Sequence, residues 1–358
     1  MIMYDLPEKI KKLAPYEPLE PSLLIGKIRL DANESFMRFP PEAIAEAVLT
    51  YGELINRYPD PYASSVLNVF GELYGVSPNN VTAGNGSDEL ISIITACLLS
   101  RGDKVLCFSP DFSMYFFYPH LYELDLVIQQ KNYKMLIDIP AAIEKINNEN
   151  ISAVMFSNPC NPTSLGINAD KIKKLITDTK ALVILDEAYM DFWDESQTLL
   201  NFATEHENLI VLKTCSKSMA LAGIRLGFAV ASCKLTNVLR AAKSPYNVNL
   251  LTQAVGEYAL LNKSRMKTMA GEISRLTKGL KDSVNNLKIP EFTRIYESAT
   301  NFLFIEIKDE DKAAKIFEYL FENGIVIRKL GKYLRITCGS PEENAVLIER
   351  LESYKEKP

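Results

Sequence analysis

Short apolar runs that do not alternate recur along the chain. They are VTAG (81–84), KVLCFS (104–109), LDLVIQQ (124–130), AVMFSN (153–158), ALVILDEA (181–188), LIVLKT (209–214) and LGFAVAS (226–232). A strand with one wet face alternates apolar and polar residues. Stretches such as VILD and IVLK do not, so both of their faces must be covered, as in a mostly parallel sheet wrapped by helices. Helical patterns separate the runs, at 41–54, 63–74, 87–100, 139–147, 168–178 and 234–241. The chain is therefore expected to be α/β. A long helical region follows over 250–286. Then FLFIEI (302–307), a helix at 311–322, IVIRKL (325–330), YLRIT (333–337) and a helix from 341 read as a second, smaller α/β unit. At 358 residues the chain exceeds one hydrophobic core. The expected division is an irregular arm over 1–39 that joins the small unit, a large domain over 40–250, linking helices over 251–286 and a small domain over 287–358.

In an open α/β sheet, ligands sit beyond the carboxyl ends of the strands. The polar residues of this chain cluster there. KTCSKSMALAGIRLGF (213–228) sets Lys217 among Thr214, Ser216 and Ser218, with Arg225 downstream. A lysine held between buried strands can lose its proton and attack a carbonyl. The hydroxyls and Arg225 suit a phosphate monoester. Together they point to a lysine that carries pyridoxal phosphate. In AGNGSDELI (83–91), Ser87 or Asp88 can cap a helix whose free amides bind phosphate. In SNPCNPTSLG (157–166), Asn158 or Asn161 can donate into the site from a rigid turn. In ILDEAYMDF (184–192), Asp186 ends an apolar strand, where a lone carboxylate is costly unless paired; a pyridinium N–H is such a partner. Tyr189 follows closely. DFSMYF (111–116) offers Phe112 or Tyr115 to stack on a flat ring, and Tyr58 in NRYPDPY (56–62) can bind phosphate. Arg328 and Arg335 suit an anionic substrate group. Taken singly, each segment also reads as an ordinary cap, turn, core aromatic or surface salt bridge.

Other chemistry is disfavoured. Two histidines leave little for triad hydrolysis or His-ligated metals, and six scattered cysteines form no CxxC pair, so no metal site is expected. No GxGxxG follows a strand and no GxxxxGK[ST] occurs. A net charge of −5 argues against nucleic acid as a partner. No apolar run reaches membrane-span length and the N-terminus lacks the order of a signal peptide, so a cytoplasmic location and no membrane partner are expected.

The motifs LDANES (30–35), NRYPDPY, GNGSDE (84–89), NPCNPT (158–163), LDEAYMDF (185–192), SKSMALAGIRLGF (216–228) and LRIT (334–337) follow one order. In that order the chain resembles the fold-type I, class II pyridoxal-phosphate-dependent aminotransferases, nearly end to end. The resemblance implies a large domain with a mostly parallel sheet plus a smaller α/β domain. It implies that Lys217 forms the Schiff base, that Asp186 pairs with the pyridine nitrogen, and that Asn161 and Tyr189 bond the ring's 3′ oxygen. Ser87, Asp88, Thr214, Ser216 and Arg225 would hold the phosphate, and Phe112 would stack on the ring. Tyr58 would reach the cofactor of the other subunit of a homodimer. Asn33, Arg328 and Arg335 fall at substrate-side positions. The substrates implied are a small amine and a 2-oxo acid. The motifs lie nearest the branch that converts L-histidinol phosphate. Aromatic amino-acid aminotransferases, a threonine-phosphate decarboxylase and a non-catalytic protein on the same fold are the alternatives. Two departures stand out: in the turn 157–166, Cys160 replaces a common asparagine and Ser164 the usual glycine, and Phe112 stands where tyrosine is frequent.

Overall fold

The structure is a computed structural model that describes residues 8–11 and 21–355. Residues 12–20, most of the Pro-rich arm, lie outside the described residues. The strands are Ile28–Arg29 (β1), Val81–Asn85 (β2), Lys104–Ser109 (β3), Asp125–Gln130 (β4), Ala153–Ser157 (β5), Leu182–Asp186 (β6), Leu209–Thr214 (β7), Leu226–Ala231 (β8), Phe292–Ile295 (β9), Phe302–Ile307 (β10), Ile325–Val326 (β11), Arg328–Leu330 (β12) and Tyr333–Thr337 (β13).

A seven-stranded sheet runs in the order β2-β8-β7-β6-β5-β3-β4. Its pairings are parallel except where β8 lies antiparallel between β2 and β7. The side chains divide as two buried faces require. Leu106, Phe156, Leu185 and Val211 join one core, while Cys107, Met155, Ile184 and Leu212 join the other. That two-sided burial explains the lack of alternation in the sequence. The edge strand β4 is the exception, because its residues are only partly buried. No helix is long and apolar enough to cross a membrane, among the described residues.

A four-stranded antiparallel sheet, β12-β13-β10-β9, builds a separate core with the helices Glu310–Glu322 and Pro341–Lys355. Leu30 enters that core. The short pair β1 and β11 is parallel, and Leu30 then bonds both Val326 and Thr337 through its backbone. This places residues 31–33 against the small sheet.

The linking region 250–286 consists of two helices, Leu250–Leu261 and Lys263–Asn286, meeting at Asn262. The segment Met114–Leu121 is helical although it contains Pro119. Its aromatic-rich MYFFYPHL lacks strong helix formers. Burial of Tyr115 and Pro119 compensates for that weakness.

Candidate active site

The ends of β5, β6 and β7 converge on the polar residues singled out above. β6 is buried from Val183 onward and delivers Asp186 to its last position, 4% exposed. Asp186 Oδ1 accepts the Ala188 N–H at 2.9 Å, and Oδ2 accepts the Tyr115 hydroxyl at 2.8 Å. Burial pushes the carboxyl up to about 6, against the pull of those two hydrogen bonds. Tyr115 is thus a partner of Asp186 rather than a stacking ring. Phe112, half-buried, meets Tyr115 edge-on at 5.5 Å and remains the ring available for stacking.

Lys217 follows β7 and is half-buried. Its Nζ lies 5.7 Å from the centroid of the Tyr189 ring and donates to the Ala32 carbonyl at 3.4 Å. The Tyr189 hydroxyl accepts from Asn33 Nδ2 at 2.8 Å. Asn33, 1% exposed, adopts a left-handed φ of 55° and is held by Thr337 of the small sheet. Lys217, Tyr189 and Asn33 therefore meet, although their sequence positions are far apart.

The candidate phosphate residues form a second group. Thr214 Oγ1 accepts the Ser216 N–H at 3.1 Å and donates to Ser216 Oγ at 3.0 Å. Arg225 Nη1 reaches Ser216 Oγ at 3.5 Å, and Nη2 lies 3.5 Å from Asp88 Oδ2. Ser87 and Asp88 do not cap the helix, as the sequence suggested. The helix Gly86–Leu98 starts before them, so both fall in its first turn, and its N-cap residue Asn85 makes no side-chain cap bond. Its first amides are left for an anion. Two glycines bring the pieces together. A Cβ on Gly86 would sit 2.6 Å from Arg225 Nη2, and one on Gly227 would sit 2.5 Å from the Gly86 carbonyl carbon and 2.6 Å from the Ser87 nitrogen. These features fit a phosphate cradle.

Asn161, after β5, accepts Arg335 Nη1 on its Oδ1 at 2.7 Å. Arg335 also donates to the Asp31 carbonyl. Arg328 pairs in register with Arg335 across β12 and β13, and is exposed. Tyr58 is exposed too, and its ring stacks on Tyr246 at 4.5 Å.

Two buried clusters were not visible in the sequence. Asp111 binds Lys131 at 3.1 Å, and Lys131 also touches Cys160. Ser157 donates to Asp111 and accepts the Asn161 N–H, so this cluster braces the Asn161 turn. Behind Lys217, Asp191 binds Lys213 and Ser218. A lysine inside the apolar run LIVLKT was the available signal, because a charge in a two-sided strand needs a partner.

Comparison with known proteins fits this geometry. The sequence model of the family described as aminotransferase class I and II matches residues 25–351. Histidinol-phosphate aminotransferase of Clostridium kluyveri (strain ATCC 8527 / DSM 555 / NBRC 12016 / NCIMB 10680 / K1) is 36% identical over 350 residues, covering 96% of this chain and 97% of the relative. The enzyme of the same name from Clostridium novyi (strain NT) is 33% identical over 366 residues, covering 99% and 100%. The crystal structure of histidinol-phosphate aminotransferase from Sinorhizobium meliloti in complex with pyridoxal-5′-phosphate superposes with a TM-score of 0.90. It covers 99% of this chain and 98% of that one, at 20% identity.

Proposed function

Because the chain belongs to the class I and II aminotransferases, we propose that it binds pyridoxal 5′-phosphate and moves an amino group from L-histidinol phosphate to 2-oxoglutarate. Imidazole-acetol phosphate and L-glutamate are the products, a step of histidine biosynthesis carried out in the cytoplasm. The observation that carries this reading is the meeting of Lys217, Tyr189 and Asn33 just beyond the adjacent strands β6 and β7, the first of which ends in Asp186.

When bound, the cofactor supplies an aldehyde carbon for the amine and a ring that takes up electron density. Lys217 would hold that carbon by its amine. Once released, the amine would take the proton from the amine-bearing carbon of the substrate and deliver it to the former aldehyde carbon of the cofactor, as base and then as acid. Asp186 would hold the proton on the ring nitrogen, its orientation fixed by Tyr115 and Ala188. Thr214, Ser216, Arg225 and the first turn at Ser87 and Asp88 would bind the phosphate. Asn161 and Tyr189 would bond the ring oxygen, and Phe112 would stack. Arg328 and Arg335, side by side across two strands, would offer two guanidinium forks to a substrate phosphate, and Asn33, bonded to Tyr189, would also face the substrate.

The assembly we propose is a homodimer in which Tyr58 reaches the partner's site. Ile44, Val48, Leu49, Leu54 and Ile55, all exposed, give an apolar face near Tyr58 in the sequence. A face of that kind suits a subunit interface.

A panel of amines with 2-oxoglutarate tests the reading. L-Histidinol phosphate is expected to give the highest kcat/KM, and Lys217→Ala to abolish turnover. Preference for phenylalanine, or carbon dioxide released from threonine phosphate without a 2-oxo acid, would overturn the substrate assignment.

A further inference from the structure

Lys213, Asp191 and Ser218 lie behind Lys217 and have no role in the reaction as described. Lys213 stands on β7 with its side chain 4% exposed. Its Nζ is 2.5 Å from Asp191 Oδ1 and 5.0 Å from the centroid of the Tyr74 ring. Asp191 Oδ2 accepts the Ser218 hydroxyl at 2.5 Å, and the Tyr74 hydroxyl lies 3.5 Å from Oδ1. Ser218 is fully buried and is the residue next to Lys217. Asp191 belongs to the short 3-10 turn Met190–Phe192, which directly follows Tyr189. One carboxylate therefore ties together two strand-end segments. One segment carries Asp186 and Tyr189, and the other carries Lys217.

A buried ion pair of this kind adds little net stability, because desolvation offsets its attraction. Its distinctive property is geometric. Backbone bonds also hold the Lys217 segment, from Leu221 to Cys215, from Ala220 to Lys217 and from Cys215 to Leu226 of β8, and the Glu187 N–H bonds the Leu212 carbonyl where β6 and β7 run side by side. Those bonds act at the strand ends, and the tie from Ser218 to Asp191 is a side-chain link beyond them. We propose that Asp191 is a positioning residue: clamped by Lys213, it holds Ser218 and thereby sets Lys217 against Asp186 and Tyr189. Lys213 engages Oδ1 and Ser218 engages Oδ2, so both oxygens of Asp191 accept. The inference rests on Lys217 being the residue that meets the cofactor. A misplacement of about 1 Å at a reacting amine costs on the order of a hundredfold in rate.

The test uses Ser218→Ala, which removes the tie and leaves the ion pair in place. A second variant, Lys213→Met with Asp191→Leu, removes the whole clamp without stranding a charge. In the cofactor-loaded enzyme, both variants are expected to lose roughly tenfold to a hundredfold in kcat, with the KM for the amine little changed. Ser218→Ala should melt close to wild type. In cofactor-free protein, added pyridoxal phosphate is trapped with borohydride and the modified lysine is identified by peptide mass. Capture at Lys217 is expected to slow by a similar factor in both variants, while hydrogen exchange of the 216–220 amides quickens. Wild-type rates of turnover and capture in Ser218→Ala would overturn the clamp while leaving the proposed function intact. Capture by the wild-type protein at a lysine other than 217 would overturn both.

Discussion

At the scale of single residues, the most consequential group is the carboxyl of Asp186. Burial raises it to about 6 from an ordinary 3.8, and raises neighbouring Glu187 to about 7 from 4.5. Between the ordinary and raised values, the folded protein binds more protons than the unfolded chain. The contribution of these two groups to stability therefore falls as pH rises, from about pH 4 through about 7. Each tenfold gain in a carboxyl's affinity for its proton on folding corresponds to roughly 1.4 kcal/mol. Cofactor-free protein with Asp186→Asn should lose the part of that decline lying between about pH 4 and 6. Thermal melts of both proteins across this range would reveal it, and parallel curves would contradict the burial account. In the proposed function a proton-bearing ring nitrogen pairs with the ionised form, so cofactor affinity should rise as pH increases through about 6.

At the scale of elements, the site depends on how closely β8 approaches the turn between β2 and its helix. Gly227 lies where a Cβ would meet the Gly86 and Ser87 backbone at 2.5–2.6 Å. Backbone cannot swing aside as a flexible side chain can. Gly227→Ala is expected to cost about 1–3 kcal/mol and to weaken cofactor binding more than substrate binding. Melting and a cofactor titration would measure the two effects. The strands were legible because burial on both faces removes alternation, as in β6 and β7. Asp186 was legible as a carboxylate ending such a strand. Its partner Tyr115 was not, because it stands 71 residues away on a helix that local propensity does not favour. Lys213, Asp191 and Ser218 escaped for the same reason: their pairing exists only once β6 and β7 lie side by side.

At the scale of the whole molecule, the exposed apolar side chains of the helix Pro41–Tyr51 and the turn after it are the surface on which the proposed homodimer would close. Leu49 and Ile55, 82% and 67% exposed, are its most prominent members. If the assembly is the proposed homodimer, replacing both with glutamate should convert it into monomers in sedimentation velocity and lower cofactor affinity, because the proposed contribution of Tyr58 across the interface is lost. Within one chain, the small sheet and the large one are already latched: Arg335 of β13 holds the amide oxygen of Asn161, on the turn after β5. In the proposed function, an anion taken up by Arg335 joins a guanidinium that already holds the Asn161 amide oxygen and the Asp31 carbonyl. One cation then faces both the charged end of the substrate and the turn after β5, so arrival of that charge would be felt directly at Asn161.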